Sequence, residues 1–287
     1  MRKTPNELVK GVDKLVSLPE VCFLVNDLVN DPNSDIRQIG SVISQDPDLT
    51  ARLLKLVNSS YYGFTKPIDT VSRAILMVGL RELQHMVWAS SAVETFNNLP
   101  PADANMASFW RHSIFTAVSA RILARECHVL HPERLFVSGL LHDIGRLLIF
   151  HKLPDIAIEI IKIQKETPER HLSDIEKELL GFDHAELGKV LCESWQLPDS
   201  LADAIGNHHE PSFTGEYQLE SALLHVANLM AHALELGEED SFEAMADPRA
   251  WEMLNLSNTT IKRVLQEAVL QFLEVLELLL PGASQRV

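Results

Sequence analysis

One device recurs along this chain: a residue that can cap a helix, apolar residues at helical spacing, then a glycine or proline that stops the run. Strand-type alternation is absent throughout, and the pattern predicts an all-α fold. Thr4-Pro5-Asn6-Glu7 has the form of a capping box with proline at the first helical position, followed by Leu8, Val12, Leu15 and Val16 and closed by Pro19. A second helix is expected on Val21, Leu24, Val25 and Leu28. Ser34 is read as the cap of a third, carrying Ile36, Ile39 and Ile43. Asp46-Pro47 opens a fourth with Leu49, Leu53, Leu56 and Val57. Asn58-Ser59-Ser60-Tyr61-Tyr62-Gly63 is a polar and aromatic turn, whose expected role is capping and packing. A long run covers Leu80 to Phe96, and Pro100-Pro101 marks the linker. The expected division is therefore a helical unit over residues 1–100 and a second over 101–287.

The residues with chemistry to offer cluster in the second unit. A helix from about Met106 to Cys127 aligns His112 with Phe115, Ser119 and Ile122, an inward face. Pro132 starts a helix that delivers His142-Asp143, and Gly145 is expected to supply the break that lets both side chains aim at one point. An aspartate can bridge two cations while the histidine holds one. Ser173-Asp174-Ile175-Glu176 reads as another capping box, with Gly181 as the stop. Asp183 caps the next helix and puts His184 at its first position, where the helix dipole favours the neutral imidazole that a metal needs. Leu201, Ile205 and His208 share a face, with His209 adjacent. His225, Asn228 and His232 share a stripe, with His225 expected to support a ligand from behind. Glu235 to Asp247 reads as an acidic loop. His85, His128, His131, His151, His171 and His232 are assigned to solvated or loop positions. A final amphipathic helix covers Ile261 to Leu280.

Charge and cysteine usage narrow the function classes. A formal net charge of −15 leaves no basic stripe to displace counterions from phosphates, so neither nucleic acid nor an anionic membrane surface is an expected partner. Three scattered cysteines, Cys22, Cys127 and Cys192, without a Cys-x-x-Cys pair, fit buried free thiols in a reducing cytoplasm. No stretch has the form of a signal peptide or a membrane span. No Gly-rich phosphate loop, Gly-x-Ser-x-Gly elbow or Cys/His nucleophile pair is present, which removes P-loop kinases, serine hydrolases and cysteine proteases. The histidines and Asp143 fall on five helices that can meet only at a bundle core. A nitrogen and oxygen ligand set without thiolates suits one or two divalent ions of iron, manganese, nickel or zinc.

Several ordered motifs resemble one family. They are Asp46-Pro47-Asp48-Leu49-Thr50, Asn58 to Gly63, Ala74-Ile75 with Gly79-Leu80, and Phe109-Trp110-Arg111-His112-Ser113. Gly139 to Gly145, Gly181-Phe182-Asp183-His184-Ala185-Glu186-Leu187-Gly188, Trp195-Gln196-Leu197-Pro198 and His208-His209 follow. Over roughly residues 18 to 232 the chain resembles the HDOD family of the HD superfamily of metal-dependent phosphohydrolases. The resemblance implies an N-terminal helical bundle packed on an HD-like helical core, and a signalling or regulatory protein acting through protein partners. It also implies a metal set of His112, His142, Asp143, His184, His208 and His209. Asn228 stands where active relatives carry a closing aspartate, and the run after His208-His209-Glu210 lacks the Gly-Tyr-Pro turn of cyclic-dinucleotide phosphodiesterases. Arg146 replaces the lysine usual after the motif glycine. These departures favour the regulatory reading. The alternative is a working phosphohydrolase on a nucleotide or other phosphoester, with Asp143 and Arg146 as its catalytic residues.

Overall fold

In the computed structural model, which describes residues 3–10, 18–59, 62–97, 105–211, 215–237 and 246–280, the described residues form helices and connecting turns with no strand. The chain begins with α1 (Pro5–Lys10), α2 (Glu20–Asn30), α3 (Ile36–Ser44), α4 (Pro47–Val57), α5 (Val71–Val78) and α6 (Leu80–Asn97). It continues with α7 (Met106–Glu126), α8 (Glu133–Leu141), α9 (Ile144–Lys152), α10 (Pro154–Glu166) and α11 (Leu172–Leu180). The last five are α12 (His184–Ser194), α13 (Asp199–Gly206), α14 (Gln218–Leu236), α15 (Pro248–Leu254) and α16 (Asn258–Leu279).

Local chemistry explains most of the boundaries. The Thr4–Glu7 box closes in both directions, with Glu7 N donating to Thr4 Oγ1 and Thr4 N to Glu7 Oε2. Asp46 caps α4 through the Leu49 N–H, and Pro47 follows it. The cap of α3 is Asp35 rather than Ser34. Asp35 and Gln38 make a reciprocal box, while the Ser34 hydroxyl donates to the carbonyls of Leu28 and Asp31. A carboxylate one residue later outcompetes the hydroxyl because its Gln38 partner satisfies a second orphan N–H. Asn58 serves the turn as expected, bonding the Ile68 backbone in both directions. Ser60, Tyr61 and the Pro100-Pro101 linker lie outside the described residues.

α7 is the axis of the molecule. Most of its residues from Phe109 to Ala124 are buried on every side, as expected of a helix surrounded by others. It packs against α8, α14 and α16, while α12 lies across α9 and α13. α6 packs against α8, α16 against α4, and α1 against α12. At the α7–α8 crossing a Cβ on Gly139 would stand 2.5 Å from Ala117 Cα, so only glycine permits this approach. No described helix is long and apolar enough to cross a membrane.

Candidate metal centre

His142 and Asp143 occupy the corner between α8 and α9: His142 caps the C-terminus of α8 and Asp143 precedes α9. The break therefore falls on the pair itself and not at Gly145, which lies in the first turn of α9. There a Cβ would meet the His184 carbonyl oxygen at 2.1 Å and the Gly188 N at 2.9 Å. Its absence lets α9 lie directly on the start of α12, bringing Asp143 to His184.

Around this corner the helix ends converge. Asp143 Oδ1 lies 3.1 Å from His184 Nε2, 3.5 Å from His142 Nε2 and 3.8 Å from His208 Nε2. His209 Nε2 is 2.8 Å from His184 Nε2. His142, His208 and His184 are at most 1% exposed and Asp143 is 3% exposed. His112, on α7, stands one step further out. Its Nε2 is 2.9 Å from Asn228 Oδ1 of α14 and its Nδ1 3.2 Å from Glu235 Oε1. All seven predicted residues are thus brought to one region. The ligand atoms of His184, His208 and His209 lie within 4.8 Å of one another, as do those of His112, His142 and Asp143.

The tautomers follow from the partners. His142 Nδ1–H donates to the Gly139 carbonyl at 2.7 Å, and His208 Nδ1–H to the Ile205 carbonyl at 2.7 Å. A carbonyl only accepts, so in each neutral ring Nε2 is the bare lone pair. Burial pushes His142 down to about 4 and His208 and His209 well below the usual imidazole range, so these rings are neutral at pH 7. Both Nε2 atoms are buried and have no hydrogen-bond partner. Two orphaned lone pairs facing a carboxylate oxygen fit a cation. The His/Asp clusters are therefore of a kind that can hold a metal.

His184 behaves differently from the sequence expectation. Burial opposes its charge, but the carboxylates of Glu176 and Asp143 outweigh that and raise it to about 10. Glu176 Oε2 accepts from His184 Nδ1 at 2.5 Å and from His184 N at 2.8 Å. The expected Ser173–Glu176 capping box accordingly does not form. α11 starts at Leu172, and Glu176 is spent on His184, eight residues downstream across the Gly181 turn. Burial likewise opposes the charge on Asp143, yet His142, Arg146 and His184 hold it well below the carboxylate range. Arg146 Nη1 donates to Asp143 Oδ2 at 2.6 Å, and its side chain remains 31% exposed.

Three further residues join the centre. Glu235 lies in the last turn of α14 rather than in a loop. Burial favours its neutral acid, but His112 and His232 outweigh that and bring it down to about 2. His232 is half-buried, its ring 4.5 Å from that of His112, and not a solvated position. His225 does support the site: its Nδ1 donates to the His208 carbonyl at 2.9 Å. His85 is buried, in contrast to its assignment to solvent, whereas His128, His131 and His171 are exposed.

Comparison with known proteins gives a consistent picture. The HDOD domain family matches residues 15–211. A crystal structure of an HDOD domain protein of unknown function from Geobacter sulfurreducens superposes with a TM-score of 0.78 at 25% identity, over 96% of this chain and 97% of that one. A Shewanella amazonensis structure named "Putative phosphohydrolase" gives 0.74 at 27% identity, over 95% and 97%. An uncharacterized Treponema pallidum protein is 29% identical over 238 residues, 81% of this chain and 45% of that protein. The chain spans about half the length of the curated relatives it matches.

Proposed function

Because this chain belongs to the HDOD domain family, we propose that it is a signal-transduction or regulatory protein built on a retained HD-like metal site and acting through protein partners. The observation that carries this reading is the pair of buried, unpartnered Nε2 atoms of His142 and His208, fixed from behind by backbone carbonyls and directed to Asp143. The proposed ligands of a divalent iron, manganese, nickel or zinc ion are His142, Asp143, His184, His208 and His209, with His184 giving up its Nε2 proton to the solvent on binding while Glu176 keeps Nδ1–H. His112, with Asn228, borders the site. In this reading residues 101–287 form the HD-like unit and residues 1–100 the helical unit packed on it, since every proposed ligand lies beyond α6.

Such an ion would supply Lewis-acid polarisation of a phosphoryl oxygen. The residues present favour holding an ion over turning a substrate over. Asp143 Oδ2, the oxygen a second ion would need, is occupied by the Arg146 guanidinium. Asn228 Oδ1 is engaged by His112 and brings no charge to attract another cation. The proposed ligands other than His209 are nearly inaccessible. These contacts support a reading with one ion rather than two.

A phosphohydrolase reading has one observation of its own: Arg146 is charged, beside Asp143 and partly exposed, so it could take a substrate phosphate. The test is an assay of metal-loaded full chain against cyclic dinucleotides, nucleoside monophosphates and aryl phosphate esters. The regulatory reading expects no turnover above that of Asp143→Ala. Turnover that disappears in Asp143→Ala contradicts it and selects the hydrolase.

A further inference from the structure

A second group of ligand-type side chains lies where α6 meets the start of α8. Glu82 and His85 stand three residues apart on α6 and therefore share a face. Glu133 is the first residue of α8. Each offers a ligand atom within 4.8 Å of the other two. Glu82 and His85 are 7% and 8% exposed, so both are more than nine-tenths buried, and Glu133 is half-buried.

The local bonding leaves this group incomplete. Tyr62 O–H donates to Glu82 Oε1, while Glu82 Oε2 is buried without a partner. His85 Nδ1 is also buried without a partner, its ring packed against Trp88. The Glu133 carboxylate meets the exposed His131 ring at 3.1 Å and its own backbone N–H. Among the described residues no lysine or arginine forms an ion pair with Glu82 or Glu133. Arg134, next in α8, turns instead to Glu220 of α14, and Arg81 and His131 are the other basic neighbours of His85. Two side chains of this cluster thus each keep a buried polar atom without a partner, and a shared cation would satisfy both. Two carboxylates match a divalent charge, and burial keeps His85 neutral, the form that ligates.

We propose that Glu82, His85 and Glu133 form a separate divalent-cation site that clips α6 to the first turn of α8. It lies roughly 13 Å along α8 from His142, so it is not part of the His142–Asp143 centre. The ligand set of one imidazole and two carboxylates suits zinc and its first-row neighbours. Its role is mechanical: it ties a helix of the N-terminal half to the helix whose far end carries His142. It does not depend on what the His142–Asp143 centre does.

Zinc is the probe, titrated calorimetrically into chelator-stripped full chain, with His85→Leu and Glu133→Gln beside wild type and folding of each checked by circular dichroism. Folded His85→Leu is expected to bind one equivalent fewer than wild type. Glu133→Gln is expected to weaken that one class of site by at least roughly tenfold and leave the other unchanged. Stoichiometry and affinities equal to wild type in both variants would overturn the proposal. If His85→Leu does not fold, Glu133→Gln, at the edge of the group, decides alone.

Discussion

Gly145→Ala isolates the contact that builds the centre. Helix propensity alone favours alanine by about 1 kcal/mol at such a position. The packing opposes it: the new Cβ would lie 2.1 Å from the His184 carbonyl oxygen and 2.9 Å from Gly188 N, both backbone atoms that cannot swing aside. Ordinary contact starts near 3.5 Å, so α9 and α12 must separate by more than about 1 Å. Overpacking of this kind costs about 1–3 kcal/mol, which for a chain of 287 residues lowers Tm by roughly 2–5 °C. Asp143 immediately precedes α9 and sits 3.1 Å from His184 Nε2, so the same shift opens the site and weakens metal binding. Gly206→Ala is the control, because there the atoms nearest the Cβ belong to the Lys189 side chain rather than to backbone. Thermal unfolding and metal titration of both variants provide the readout. A Gly145→Ala protein as stable as Gly206→Ala, with wild-type metal affinity, would refute the claim that this backbone contact positions Asp143.

Other perturbations separate the roles of neighbouring groups. Glu176→Gln keeps an acceptor for His184 N but removes the charge behind the ring, and a chelator-competition assay is expected to show metal affinity about 10–100-fold weaker. Arg146→Gln removes the guanidinium 2.6 Å from Asp143 Oδ2, and affinity is expected to rise about tenfold or more as the repulsion of the ion is lost; a fall would mean that Arg146 chiefly positions Asp143. Burial pushes the Cys192 thiol up to about 12 and that of Cys22 up to about 11. Folded thiols stay protonated while the unfolded chain ionises them above pH about 9, so stability is full below that pH and is lost as pH rises toward these values. Urea unfolding between pH 8 and 11 should show this loss, and Cys192→Ala should reduce its slope; an unchanged slope would contradict the assignment.

The helices and the main histidines were legible because both leave local marks. Capping residues, helical spacing and the Gly181 stop all report on positions a few residues apart, and His142-Asp143 and His208-His209 announce themselves as pairs. What was not legible depends on contacts between helices. Glu176 looks like the last member of a capping box, and only the fold shows it bonded to His184. In sequence it is one carboxylate among Asp174, Glu176 and Glu178, with nothing local to single it out. His184 was expected neutral from its helix position, a local effect that two non-local carboxylates reverse. Glu235 and His232 look like loop and solvent positions in the sequence because nothing local connects them to His112, over a hundred residues earlier. The sequence suggests a helix break at Gly145 on conformational grounds, whereas its use is steric and set by α12.

The central claim is that His142, Asp143 and their neighbours hold a metal ion. Elemental analysis of the protein purified without a histidine tag, beside a His142→Ala/Asp143→Ala variant with folding verified, tests it directly. The account predicts that the wild type carries an equivalent of a divalent transition metal at this centre that the variant lacks. Equal metal content in the two proteins, or none in either after loading with iron, manganese or zinc, would contradict it.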